Sequence, residues 1–188
     1  LGAVRAFDDN GRASNFGLMR SMAYALEKGA RVINMSWGTE EKSDFLAAAV
    51  AYAQSKGAIL VASAGNEPTQ KTTYPAAFRN VVGVSALNAG GQLWENSNYG
   101  DFVTVAAPGT ASFPVGYKGP PGAYEGTSIS SAFVSRALAL YLAKHPKASA
   151  GEAMQALKDS LTDAGATGVD SKYGYGCLDA AAMARFLR

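Results

Sequence analysis

One cysteine, one histidine and little charge set the first limits on this 188-residue chain. The single thiol, Cys177, excludes an intrachain disulfide and reads best as a small buried apolar side chain. Charged residues make up 17%, below the usual level of about 25%. The formal charge of +2 is too small to point to nucleic acid. No apolar run reaches the length of a membrane span. No carboxylate cluster is dense enough to suggest Ca²⁺. No phosphate-cradling glycine motif follows a strand, which counts against a nucleotide-binding domain. The chain also lacks an initiator Met and a signal peptide and opens on Leu1-Gly2-Ala3-Val4-Arg5-Ala6-Phe7, so it is expected to begin inside a larger natural sequence.

What is present is apolar and small. Hydrophobic residues reach 48% and glycines number 21, enough for one well-packed domain over residues 1–188, or most of one. Ala3–Phe7 reads as a short strand, followed by a turn at Asp9-Asn10-Gly11. Phe16, Met19, Met22, Ala23 and Leu26 recur at helical spacing up to Gly29. Val32–Met35 is a second strand. Ser43 or Asp44 can cap a helix running to Lys56, and Ile59–Ala62 is an unbroken apolar strand. Further strands are expected at Val81–Ser85 and Phe102–Val105, then a Gly/Pro loop from Gly116 to Gly126. Ser149 and Glu152 make a capping box for a helix to about Leu161, and a last helix starts near Leu178. Strands alternating with helices, with continuously apolar strands, predict an α/β fold: a mostly parallel sheet flanked by helices on both faces.

Two features could carry chemistry. Gly126-Thr127-Ser128-Ile129-Ser130 breaks from a loop into a long apolar helix. A serine there meets unpaired N–H groups and the positive end of the helix dipole, which favour developing negative charge. On this stretch alone an ordinary N-cap explains the hydroxyls equally well. The second feature is a pair of loops beyond the carboxyl ends of strands, Ser36-Trp37-Gly38 and Ala64-Gly65-Asn66, where ligands of parallel sheets bind. Asn66 can present a side-chain N–H₂ as an oxyanion donor, or can be a turn asparagine.

Together, Val32-Ile33-Asn34-Met35-Ser36-Trp37-Gly38, Ala62-Ser63-Ala64-Gly65-Asn66-Glu67 and Gly126-Thr127-Ser128-Ile129-Ser130 resemble the subtilisin family of serine proteases, in the family's order. Tyr74-Pro75-Ala76, Ala106-Ala107-Pro108-Gly109 and Tyr175-Gly176 match as well, so the resemblance spans nearly the whole chain. It implies that Ser128 is the nucleophile and that Asn66 and the Ser128 N–H form the oxyanion hole. It also implies that Ser36, Trp37 and Gly38 face Ala62, Ser63, Ala64 and Gly65 across a cleft for an extended peptide. Tyr74-Pro75 matches a cis peptide of the family. The resemblance alone implies secretion. No cofactor is required for the chemistry. Structural calcium is common in the family, and a weak site in the Glu67–Tyr74 loop has no support in the sequence.

The family's triad runs in the order Asp, His, Ser. Here the only histidine, His145, lies at the far end of the helix that Ser128 opens, roughly 25 Å away at ~1.5 Å per residue. It cannot be the base. Asp8 and Asp9 sit in Arg5–Gly11, which resembles a family turn downstream of both missing residues. The chain thus resembles the C-terminal part of a catalytic domain without its N-terminal strands, and alone it is expected to be inactive. In subtilisin, removing the histidine costs about as much as removing the whole triad, about 2 × 10⁶ in kcat.

In the family the strand that ends in the aspartate lies between those matching Ala3–Phe7 and Val32–Met35. Its absence predicts complementation by another chain or by the N-terminal part of the same domain, re-paired strands, or edge-to-edge association. Ala132 and Phe133 stand where the family usually has proline and histidine, and Arg136 replaces a small residue in a helix expected to be buried. These departures keep open an inactive pseudoprotease or peptide-binding module as the alternative.

Overall fold

A computed structural model of the chain describes residues 1–113 and 122–188. Helix α1 (Asn15–Glu27) leads to strand β1 (Val32–Met35), helix α2 (Asp44–Ser55) and strand β2 (Ile59–Ser63). Strands β3 (Val82–Leu87) and β4 (Val105–Pro108) complete a four-stranded sheet, parallel throughout, with the strands side by side in chain order. Strands β5 (Thr110–Phe113) and β6 (Gly122–Glu125) form a separate antiparallel pair. Helices α3 (Thr127–Lys144), α4 (Ala150–Ser160) and α5 (Ala180–Phe186) follow.

Alternation along the strands sorts the core into two halves. Ile59 and Val61 of β2 face α3, α4 and α5, where Val134, Leu138, Leu157, Leu178 and Phe186 close the packing. Leu60 and Ala62, one residue out of phase, face α1 and α2 through Met22, Leu46 and Val50. Helices thus cover both faces, as the continuous apolar strands require. Each fully buried leucine, such as Leu60 or Leu138, contributes about 1.5–3 kcal/mol relative to an exposed one.

Local signals place the helix ends. Ser14, Ser43 and Asp179 each accept a backbone N–H in the first turns of α1, α2 and α5. The Ser149–Glu152 capping box forms as the spacing predicts.

Four expectations need correction. Ala3–Phe7 forms no strand: no described segment lies beside it, and an unpaired strand has no ladder to hold it. Only Ala6 and Phe7 dock, on the margin of the α1–α2 core. The strand expected at Phe102–Val105 begins instead at Val105, because Val103 donates its N–H to Gly100 in a turn. Within the loop expected from Gly116 to Gly126, residues 122–125 form β6, and residues 116–121 lie outside the described residues. Arg136 needs no buried partner, since it is exposed on α3 together with Ala132 and Leu140.

Candidate active site

Strands β1 and β2 end side by side, so the loops after them emerge together at the carboxyl edge of the sheet. Helix α3 packs against all four strands and brings its N-terminus to the same edge. Ser128 therefore stands in the first turn of α3, next to the loop after β1. Its Oγ donates to the Ser36 carbonyl at 3.4 Å, and the Ser36 hydroxyl donates back to the Ser128 carbonyl at 3.1 Å. Ser131 Oγ donates to that same carbonyl at 3.0 Å and lies 3.0 Å from Ser36 Oγ.

The loop after β2 is fastened to the same turn. Asn66 Oδ1 accepts the Thr127 backbone N–H at 3.0 Å and the Thr127 hydroxyl at 2.8 Å. Thr127 Oγ1 in turn accepts the Gly65 N–H at 3.2 Å. Three donors, the Thr127 N–H and hydroxyl and the Gly65 N–H, are thus satisfied between this loop and the turn that carries Ser128. Among the described residues, Asn66 Nδ2 and the Ser128 N–H donate to no group. Ser128 is not an N-cap: α3 starts at Thr127, and Gly126 caps it without a side-chain bond. Thr127, read from sequence only as a possible cap, is the residue that joins the asparagine loop to the serine helix.

The expected cleft walls are adjacent, but their side chains behave differently. Ser36 and Gly38 are exposed, whereas Ala62, Ser63 and Ala64 are buried. That wall therefore meets the cleft through Gly65 and Asn66. Trp37 is half-buried, and its ring meets Phe7 edge-on at 6.0 Å between centroids. The Tyr74–Pro75 peptide is cis. Behind the walls lie two polar residues that the sequence did not mark, Thr73 and Asn98, both buried.

Among the described residues no base stands beside Ser128. The His145 ring lies against Tyr141, 4.5 Å between centroids, at the other end of α3. Asp8 accepts the backbone N–H groups of Asn10 and Arg12, and Asp9 pairs with Arg5 at 2.7 Å. Both carboxylates thus serve their own turn. Cys177, buried against Leu87 and Ala106, has its thiol pushed up to about 11, first by burial and then by Asp179 and Asp170. It is no nucleophile. Among the described residues no three His, Cys, Asp or Glu side chains gather closely enough to hold a metal. The loop considered for calcium offers one carboxylate, Glu67, and its Lys71 pairs with Glu40 at 3.0 Å. That donor set does not suit Ca²⁺, which takes six to eight oxygen ligands. Among the described residues no helix is long and apolar enough to cross a membrane.

Comparison with known proteins gives a consistent result. The profile of the subtilase family, Peptidase_S8, matches residues 1–176. The chain is 38% identical over 173 residues to the thermophilic serine proteinase of Bacillus sp. (strain AK1), covering 92% of this chain and 42% of that protein. It is 32% identical over 183 residues to the minor extracellular protease Epr of Bacillus subtilis (strain 168), covering 97% of this chain and 28% of Epr. The chain thus spans less than half the length of either relative. Among solved structures, fervidolysin from Fervidobacterium pennivorans, a keratinolytic enzyme related to subtilisin, superposes with a TM-score of 0.83 at 28% identity. It covers 97% of this chain and 31% of fervidolysin.

Proposed function

Because the chain belongs to the subtilase family, we propose that it is the nucleophile-bearing part of a serine endopeptidase whose histidine and aspartate come from a segment outside it. In this mechanism Ser128 Oγ attacks the scissile carbonyl while the histidine takes its proton. The new Oγ–C bond makes a tetrahedral oxyanion, which accepts from Asn66 Nδ2 and the Ser128 N–H. The C–N bond then breaks as the histidine returns the proton to the leaving amine, giving an acyl-enzyme on Ser128. Water repeats the sequence and frees the acid. The peptide lies extended between Ser36-Trp37-Gly38 and Ala62-Ser63-Ala64-Gly65. No cofactor takes part. The support for a secreted role is the name of Epr, a minor extracellular protease.

The observation that carries this reading is the Thr127 clamp on Asn66. It occupies the acceptor end of the amide and leaves the donor end near Gly126, at the turn that carries Ser128. Alone, the chain is inactive, since an unassisted serine hydroxyl is a weak nucleophile. The partner that restores it is the N-terminal part of the same domain, or another chain carrying that segment. Among the described residues strand β1 pairs only with β2, which leaves its outer edge for a further strand. The exposed stripe of Ala132, Arg136 and Leu140 lies on the helix that crosses β1.

The second reading, an inactive pseudoprotease or peptide-binding module, is favoured by the lack of a base beside Ser128 among the described residues and by Ala132 in place of the usual proline. A serine-directed phosphonate separates the two. Labelling of Ser128 only when the N-terminal part is present supports the enzyme. No labelling in the reconstituted domain, with peptide binding retained, supports the module.

A further inference from the structure

Beneath the two cleft walls the chain buries polar side chains that the proposed chemistry does not use. Thr73 and Asn98 are each 6% exposed. Asn98 Nδ2 donates to Thr73 Oγ1 at 3.3 Å, and Asn98 Oδ1 accepts the Glu67 N–H at 2.7 Å. The Thr73 hydroxyl donates to the Lys71 carbonyl at 3.3 Å. Backbone bonds hold both residues in place: Thr39 and Tyr74 exchange N–H groups at 2.9 and 2.8 Å, and Asn98 donates its N–H to Gly65 at 2.9 Å.

Their positions relative to the walls are defined by two glycines. A Cβ on Gly38 would lie 2.6 Å from Thr73 Cγ2, so the threonine methyl presses directly on the first wall. A Cβ on Gly65 would lie 2.6 Å from Asn98 Nδ2, so the asparagine amide presses on the second. The two side chains are hydrogen-bonded to each other. A methyl and an amide, joined by this bond, therefore run from one wall to the other.

We infer that Thr73 and Asn98 form a closed floor to the cleft, and that the residue preceding the scissile bond must be small: glycine, alanine or serine. This rests on the protease reading and adds its substrate class. A long side chain entering between Gly38 and Gly65 meets the Thr73 methyl and the Asn98 amide. Moving Asn98 aside would strip the Glu67 N–H of its acceptor, so the floor yields only at the cost of a buried polar group.

The test uses the full-length protein with its base-bearing segment and a peptide series differing only before the scissile bond: Ala, Val, Leu, Phe. The wild type is expected to favour Ala over Phe by at least about tenfold in kcat/KM. Thr73→Gly removes the methyl and is expected to raise the Phe-to-Ala ratio about tenfold or more, with Thr73→Ala between. A ratio measured within one enzyme does not depend on the folded fraction, so a destabilised variant still reports. Cleavage that peaks at Phe or Leu in the wild type, or a ratio unmoved in both variants, overturns the closed floor and leaves the protease reading intact. No turnover of any peptide, together with no phosphonate labelling of Ser128, overturns both.

Discussion

Asn66 accepts two hydrogen bonds from Thr127, one from its backbone and one from its hydroxyl, at 3.0 and 2.8 Å. The side chain that would steady the oxyanion is thus oriented by the residue next to the proposed nucleophile, Ser128. In the reconstituted enzyme, Asn66→Ala should lower kcat by roughly 10²–10³, the loss seen when a subtilisin is stripped of its side-chain donor. Thr127→Val keeps the backbone bond and removes the hydroxyl, so a smaller loss of about tenfold is expected. The double variant should be no worse than Asn66→Ala alone, because Thr127 acts through the asparagine. Additive losses would show that Thr127 acts independently.

Each core half is built on side chains with no exposure, such as Leu138 on one face of the sheet and Leu60 on the other. Leu138, in the middle of α3 and fully buried, is expected to cost about 2–5 kcal/mol when cut to alanine. Ala139, exposed on the same helix, should tolerate serine within about 0.5 kcal/mol. Urea midpoints of the two variants check both values.

Asp179 caps α5 by accepting the Ala182 N–H at 2.7 Å, and that bond holds its carboxyl below the ordinary 3.8. A depressed native value means the unfolded chain binds the proton first as the pH falls. The cap's contribution is therefore present above about 3.8 and is lost as the pH falls through the lower native value. Asp179→Ala should cost about 1 kcal/mol at pH 7 and progressively less in acid. Thermal melts at pH 7 and pH 3 test the difference.

Cys177 titrates in the opposite sense. Its thiol stays neutral up to about 11 in the fold, against 9.0 ordinarily. The unfolded chain then loses its proton first, so stability falls as the pH rises between those values. At pH 8 iodoacetamide should leave the native thiol unmodified over a period that fully alkylates the chain in denaturant. Equal rates in both states would contradict its burial.

How far the sequence discloses this architecture depends on how local each cause is. Val32–Met35 and Ile59–Ser63 are legible because apolar runs bounded by turns need no further information. The Ser149–Glu152 cap is legible for the same reason. Ala3–Phe7 carries a comparable apolar pattern yet forms no strand, since pairing depends on a neighbour that a pattern cannot supply. Strand β6 hides in a Gly-rich, exposed stretch and exists only through its register with β5. The Ser128, Asn66 and loop positions came from motif resemblance. Thr73 and Asn98 gave no such signal: each reads as a loop polar residue, and their pairing spans 25 positions.

The sheet's order has a bearing on how the molecule is made. Its strands lie side by side in the order of synthesis, so each can settle against the one completed just before it. Helix α3 spans all four and is translated after them. The seat for Ser128, bonded to the loops after β1 and β2, therefore forms only once those strands are made. Arrested chains ending before Gly126 should already protect β2 amides from hydrogen exchange. The hydroxyl thus takes its place after the sheet beneath it, by chain order.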